Sequence, residues 1–303
     1  LYTVTATNFP DYPKYAIWDD SYVMTANEGT TNSTVYIMDR TSMLAGGTPN
    51  AQQFFIPRFG TIGFQAATPV SIMGTSTSGT PALLMRMRDD AWTGSASDAL
   101  EMWELDINWA SPGAATLSQV QTIPVSAFES ELCGYTAFQC IPQAGSTTTL
   151  DPLRELLMNR IMYRNFGSYE AIVCSHVVDV NTSLTSGGSD LAGIRWYELR
   201  RTGGGAGTWT IYQEGTYSPA DGLHRWMPTI GLAASGNIGL AYNVSSSGIH
   251  PEIRYTGRKE CDPLGVMTET EIQLVDGTSP NNANRWGDYN AMGCLLYTSD
   301  AAD

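Results

Sequence analysis

The sequence predicts an all-β fold, a β-propeller of four-stranded antiparallel blades, and three observations lead there. A similar phrase opens four stretches of the chain: Asp11-Tyr12-Pro13-Lys14, Asn165-Phe166-Gly167-Ser168-Tyr169, Arg225-Trp226-Met227-Pro228 and Arg285-Trp286-Gly287-Asp288. Self-similarity on this scale marks units that stack on one another to bury their faces. Apolar strand signals fall in groups of four between these openings. Composition agrees, with 30 Gly, 8 Trp and 15 Tyr but only 15% charged residues in 303, against roughly 25% in an average domain.

The elements follow in order. The first unit offers Tyr15–Trp18, Tyr22–Thr25, Thr34–Met38 and Phe54–Ile56. The second offers Val70–Met73, Ala82–Met85, Leu100–Leu105 and Val120–Ile123, and around Trp103 apolar and polar residues alternate with the period of two that a two-faced strand requires. The third reads Arg160–Tyr163, Ala171–Cys174, Ile194–Leu199 and Trp209–Tyr212; the fourth reads Thr229–Leu232, Ile238–Tyr242, Glu252–Tyr255 and Ile272–Val275. Ser235-Gly236-Asn237 is a hairpin turn. One helix is expected over Leu153–Ile161, opened by Asp151-Pro152 as cap and first-turn residue. Repeated four-stranded units describe about four complete blades and the start of another at Arg285–Tyr289, because radial repetition protects sheet edges. A β-sandwich is the alternative, and it leaves the recurring openings unexplained.

Charge and cysteines bound the partners. A net charge of −14 without a basic stripe excludes nucleic acid as a partner. No apolar stretch approaches the ~20 residues of a membrane-spanning helix. Of five cysteines, Cys133 and Cys140 flank a short loop and can bridge in an oxidising compartment, or remain two thiols; Cys174 reads as a core residue and Cys261 as a turn residue. Residues 294–303, from Cys294 to Asp303, resemble the translation of a transposase sequencing adapter, as at the ends of metagenomic reading frames. The expected division is therefore a propeller over 1–293, cut at both ends, and a non-native tail over 294–303.

Several runs resemble signatures of a family of secreted bacterial propellers of sialidase-like (Asp-box-type) fold. They are Asp11–Tyr22, Tyr163–Gly167, Gly193–Arg200, Gln213–Tyr217, Arg254–Arg258 and Arg285–Tyr289. The resemblance covers nearly all of 1–293 and implies the propeller, a secreted, extracellular location and a carbohydrate or protein surface as partner. It implies no established reaction. If the chain is an enzyme, the resemblance makes it a glycoside hydrolase. True sialidases combine an arginine cluster with a tyrosine nucleophile and a nearby glutamate. Here Ile56-Pro57-Arg58 is only the reverse of the family's Arg-Ile-Pro, and Thr202–Trp209 carries Gly204 where an Asp-box turn has its aspartate.

Candidate site residues come from the openings of the units, whose loops gather round the channel of a propeller. Lys14, Tyr12, Tyr169, Arg225, Trp226, Arg285 and Trp286 are the expected ligand-binding set, with Asp288, Glu170 and Tyr289 as catalytic candidates. Aromatic rings beside charged groups suit sugars, the rings supplying apolar contact and the polar groups orientation. The competing reading is architectural: the same residue types recur in each unit and can staple neighbouring blades, Arg over Trp. No metal centre is expected, since His176, His224 and His250 are scattered. No cofactor is expected; a structural calcium ion at Asp19-Asp20 or Asp89-Asp90 is the one open case, although neither has the alternating oxygen ligands of a recognised loop. The functional expectation is an extracellular propeller that binds or processes carbohydrate. A non-catalytic extracellular interaction or adhesion module is the alternative.

Overall fold

The computed structural model describes residues 2–29, 31–60, 64–134, 137–181 and 190–293. The adapter-like segment 294–303 lies outside the described residues. Sixteen strands form four antiparallel units in chain order. Blade 1 holds β1 (Asp11–Ile17), β2 (Ser21–Asn27), β3 (Asn32–Asp39) and β4 (Ala51–Pro57). Blade 2 holds β5 (Thr68–Met73), β6 (Ala82–Arg88), β7 (Ala99–Asp106) and β8 (Thr116–Pro124). Blade 3 holds β9 (Ile161–Asn165), β10 (Glu170–Asp179), β11 (Ala192–Arg201) and β12 (Thr210–Tyr217). Blade 4 holds β13 (His224–Leu232), β14 (Ile238–Ser246), β15 (Ile249–Arg258) and β16 (Ile272–Val275). All sixteen strand signals of the sequence fall on these strands.

The radial arrangement follows from which strands meet. First strands are neighbours in order: β1 lies against β5, β5 pairs in parallel with β9, and β9 lies against β13. The parallel pairing, Val70↔Ile161 to Met73↔Arg164, joins blades 2 and 3 into one eight-stranded sheet. Burial grades outward as a propeller requires. β10 is buried along all 10 residues, whereas β16, outermost in its blade, is exposed along all 4.

The apolar core is divided among seams between blades. Trp18, Val23, Val35 and Ile37 of blade 1 meet Leu83, Met85 and Trp103 of blade 2 and Tyr163 of blade 3. Met162, Val173, Ile194 and Trp196 of blade 3 meet Ile230, Leu232, Leu240 and Tyr242 of blade 4. A third cluster caps the end where the first strands begin, with Tyr12, Leu132, Ile141, Leu153, Leu156, Trp226 and Met227. Two face-packed sheets share one core, so this partition excludes the sandwich. Each fully buried indole removes roughly 200 Å² from water, worth about 5 kcal/mol before entropy is charged against it.

Blades 3 and 4 repeat one polar device. On the third strand, Arg200 Nε donates to Glu198 at 2.6 Å and Arg254 Nε to Glu252 at 2.6 Å. On the fourth strand, Gln213 and Gln273 donate to the second oxygens of those glutamates. A Glu-x-Arg facing a Gln therefore pins the outer pair of strands in both blades.

Three expectations are corrected. Leu153–Ile161 forms turns and no helix. Its backbone finds partners outside the segment: Met158 N–H donates to Ser175 O at 2.9 Å, and Leu157 O accepts from Thr68 Oγ1 at 2.6 Å. Leu153, Leu156, Leu157 and Met158 are all buried, so their helix-like spacing records a plug enclosed on every side. The helix that does form, α1 (Arg40–Leu44), is capped by Asp39, whose carboxylate accepts from Ser42 N–H at 2.9 Å. Finally, Asn165–Tyr169 does not open the third unit. It is the turn from β9 to β10, and the segment that precedes the first strand of the third unit is the plug at 151–160. No fifth sheet exists among the described residues; 285–293 instead runs beside β13, Met292 N–H donating to Thr229 Oγ1 at 2.8 Å.

Candidate functional site

Two ends of the propeller differ in kind. At the leading end, where first strands begin, the opening phrase recurs with one backbone device. Tyr12 (φ 52) and Met227 (φ 50) sit in the left-handed region, each just before a proline, and Gly287 (φ 83) takes the same place in the third copy. Matching bulges break the pairing between Asp11 and Lys14 and between Trp226 and Thr229. Glycine is required at 287, since a Cβ there would lie 2.1 Å from Asn243 Nδ2.

The bulges bring distant segments together. Tyr12 Oη donates to Asp288 O at 2.7 Å and Lys14 Nζ to the same carbonyl at 3.1 Å. The Lys14 ammonium lies 3.6 Å from the Tyr12 ring centre and 4.0 Å from that of Tyr289. Arg285 spans Asp288 at 3.0 Å and Asp151 at 3.3 Å. Burial lowers the Lys14 ammonium to about 8, although Asp288 pulls the other way. Burial also raises the Glu155 carboxyl to about 7 against the pull of Arg154, and raises Asp151 against its bond from Leu153 N–H and the charge of Arg285. Carboxyls raised in this way can hold a proton for acid–base work. Yet Asp151 and Glu155 are 2% and 3% exposed, beneath the segment they anchor.

Of the predicted set, this end gathers Tyr12, Lys14, Trp226, Arg285, Trp286, Asp288 and Tyr289. Trp226 is fully buried and lies 6.3 Å from Trp286, whose carbonyl accepts from Asn243 at 3.0 Å. Arg225 turns away into blade 4, where its buried fork holds Asp221 at 2.7 Å and Glu271 at 2.9 Å. Tyr169 and Glu170 lie at the opposite end, because their loop is a hairpin turn. Tyr169 stacks on Phe166 at 4.8 Å with the Arg200 guanidinium 4.3 Å above it.

Glu170 completes a trio of the sialidase types. Arg201 holds it at 2.6 and 3.0 Å, and the Tyr163 hydroxyl donates to it. Burial pushes its carboxyl up, but the bonds from Arg201 and Tyr163 outweigh that and hold it below the usual range; burial and the glutamate together push the Tyr163 hydroxyl above its own. Tyr163 is 0%, Glu170 3% and Arg201 3% exposed, so no substrate reaches the trio. What it does is hold a turn: Thr77 Oγ1 donates to Glu170 at 3.0 Å.

That turn forms one wall of an open cleft at the trailing end, between blades 1 and 2, with a volume of about 790 Å³. Three turns build it: Trp18–Ser21 after β1, the 75–82 turn after β5, and Leu105–Ala110 after β7. Trp18 Nε1 fixes Thr80 O at 3.1 Å, and half-buried Trp109 donates from Nε1 to Ser21 Oγ at 3.3 Å. Asp19 accepts from the Ser76 hydroxyl and Asp20 from Ser21 at 2.7 Å. Asp106 is exposed and makes no side-chain hydrogen bond or ion pair among the described residues. No Lys or Arg is among the described residues lining the cleft. Sequence reasoning reached Asp19-Asp20 only as a candidate calcium position and missed Trp109, Asp106 and Asn108. A tryptophan set in the Asn108–Gly113 turn was the available signal.

Cys133 and Cys140 form the expected disulfide, with Cα atoms 5.1 Å apart. Asp89, Asp90 and Asp98 cluster at the 89–98 loop; Asp89 accepts from Ala91 N–H and from Ser130, and Asp98 accepts from the N–H groups of Asp90 and Phe128. No helix among the described residues is long and apolar enough to cross a membrane.

No protein-family model and no curated protein matches the chain. Among solved structures, it is similar to the α-L-arabinanase of Penicillium chrysogenum, seen with arabinobiose, at 12% identity and a TM-score of 0.47, over 88% of this chain and 67% of that one. It is also similar to the polysaccharide lyase Uly1 at 10% identity and a TM-score of 0.31, over 96% of this chain and 77% of that one.

Proposed function

We propose that the chain is an extracellular β-propeller that binds carbohydrate in the cleft between blades 1 and 2, and that the leading-end cluster closes the ring. The observation that carries this reading is the cleft itself. Its volume of about 790 Å³ falls within the roughly 300–1,000 Å³ of small-molecule sites. It sets the Trp109 indole among Asp20, Asp106, Asn108 and Ser78, short polar groups with hydrogen-bonding capacity to spare. At the leading end, by contrast, Tyr12, Lys14, Arg285 and Asp288 are already bonded or ion-paired to one another, and the atoms left over, Trp226 Nε1 and Asp288 Oδ1, are buried. The Cys133–Cys140 disulfide supports the extracellular location.

Sialidase-like is in this reading a statement about fold. A sialic acid carboxylate in the cleft would face Asp19, Asp20 and Asp106 with no lining cation. At ~6 Å in water each pair costs about 0.7 kcal/mol, so neutral glycans are favoured over sialylated ones by about tenfold or more. The test is isothermal titration with neutral and sialylated oligosaccharides against the chain and Trp109→Ala. Neutral sugars should bind and the variant should lose at least tenfold in affinity. Equal binding by Trp109→Ala, or a preference for sialylated sugars, would overturn the assignment. Docking of a protein partner is the second reading, favoured by Tyr15, Ile17 and Phe55, exposed apolar residues of blade 1; it predicts no sugar binding at all.

A further inference from the structure

A rim of acidic residues between blades 2 and 3 plays no part in the cleft or the ring closure. An isolated antiparallel bridge places Glu129 directly opposite Asp179, with Asp179 N–H donating to Glu129 O at 2.8 Å. Residues paired this way project on one side with Cβ atoms about 5 Å apart, and like charges so placed repel. Both line one cavity of about 450 Å³ with Phe128 and Thr216.

Asp179 is 3% exposed. Its Oδ1 accepts from Asn181 N–H at 3.1 Å and Leu191 N–H at 3.0 Å. Its Oδ2 is buried with no hydrogen-bond partner. Glu129 uses one oxygen for Glu131 N–H at 2.9 Å. The surrounding charges deepen the problem. Asp89 and Glu131 act on Glu129, Asp190 acts on Asp179, and all are acidic. Arg195 reaches Thr216 Oγ1 at 3.2 Å on the cavity wall but is committed to Glu214 at 2.7 Å. No ion pair to Glu129, Asp179, Asp89, Glu131 or Asp190 exists among the described residues.

A buried, unpartnered carboxylate oxygen opposite a second carboxylate is costly unless a cation or a proton joins them. We infer that Glu129 and Asp179 form a site for a hard divalent cation of the calcium type. Carboxylate oxygens from both strands, with carbonyls and water completing the shell, suit an ion that accepts six to eight oxygens in loose geometry. Two carboxylates place the affinity at about 10⁻⁴–10⁻³ M, the range of extracellular modules. The pair is remote from Asp19-Asp20 in the chain and adjoins the Asp89–Asp90–Asp98 cluster, whose Asp98 and Asp89 hold Phe128 and Ser130 on either side of Glu129.

The test is thermal unfolding of the chelator-treated chain with calcium chloride, and with sodium chloride of equal ionic strength. At neutral pH about 10 mM calcium should raise Tm by a few degrees. Asp179→Asn, which keeps shape and removes the repulsion, should raise the metal-free Tm and abolish the calcium response. Glu129→Gln should do the same and serves if the first variant fails to fold. The response should also shrink from pH 7 to pH 4, as the cation competes with protons. No calcium response, a response reproduced by sodium, or one retained in both variants would overturn the site. Asp106→Asn, in the carbohydrate cleft, should leave it unchanged.

Discussion

The leading end and the trailing cleft contain similar residues, tyrosines or tryptophans beside aspartates, and differ in how far those residues satisfy one another. At the leading end Tyr12, Lys14, Arg285, Asp288 and Asp151 are joined by direct bonds and ion pairs, and Tyr12 meets Asp288 from 276 residues away in sequence. In the cleft, Asp106 has no side-chain partner among the described residues and Trp109 is only half-buried. The contrast is between groups joined to one another at the leading end and groups left open in the cleft. Buried polar groups must be paired to be tolerated, whereas a binding site keeps capacity in reserve.

The largest effect that sharpens this contrast belongs to Arg225, one buried guanidinium serving Asp221 and Glu271 while Tyr242 and Arg254 also bind Glu271. Arg225→Ala should destabilise the chain by about 3–5 kcal/mol, because it empties the site of a fully buried guanidinium and removes its charge-assisted bonds to Asp221 and Glu271, each worth roughly 1.5–3 kcal/mol; denaturant unfolding measures it. A loss below 1 kcal/mol would mean that this brace is not buried in solution.

Next comes Lys14, whose ammonium is lowered by burial to about 8 from the ordinary 10.5 of a lysine. The unfolded chain then holds a proton that the folded chain has released between those values, so this group makes stability rise with pH from about 8 towards 10.5. Lys14→Met should flatten that rise, an effect of order 3 kcal/mol at its upper limit, most cleanly read below pH 10, before tyrosines titrate. A pH slope unchanged in Lys14→Met would place the ammonium in water, outside the tyrosine rings.

Tyr12→Phe removes one donor to Asp288 O and should cost about 1 kcal/mol, with no effect on sugar binding. Smallest in stability is Asp106→Asn, expected to lie within about 0.5 kcal/mol of the parent, since the side chain has no partner to lose. Its effect should appear in binding instead, as a weaker discrimination against sialylated sugars.

Much of the fold was legible because strands repeat: each of the sixteen is an apolar run with turn residues on either side, and neither signal needs distant context. The leading-end cluster was legible for the same reason, since Tyr12 stands where Met227 and Gly287 stand and Arg285-Trp286 repeats Arg225-Trp226. Tyr169 and Glu170 belong to a hairpin turn whose composition matches that of a unit opening, so composition alone misplaces them. The apolar spacing of Leu153–Ile161 mimicked a helix because a plug buried on all sides satisfies any period. The cleft stayed hidden for a different reason. Asp20, Ser78 and Trp109 lie on three turns of two blades, and only the stacking of those blades makes them neighbours.

The most direct measurement is an NMR titration of the indole N–H resonances with a neutral oligosaccharide, with Trp109 and Trp286 assigned by single substitution. The Trp109 resonance should move in proportion to occupancy while that of Trp286 stays in place. A shift confined to Trp286 would put the sugar at the leading end and contradict the division of roles between the two ends of the propeller.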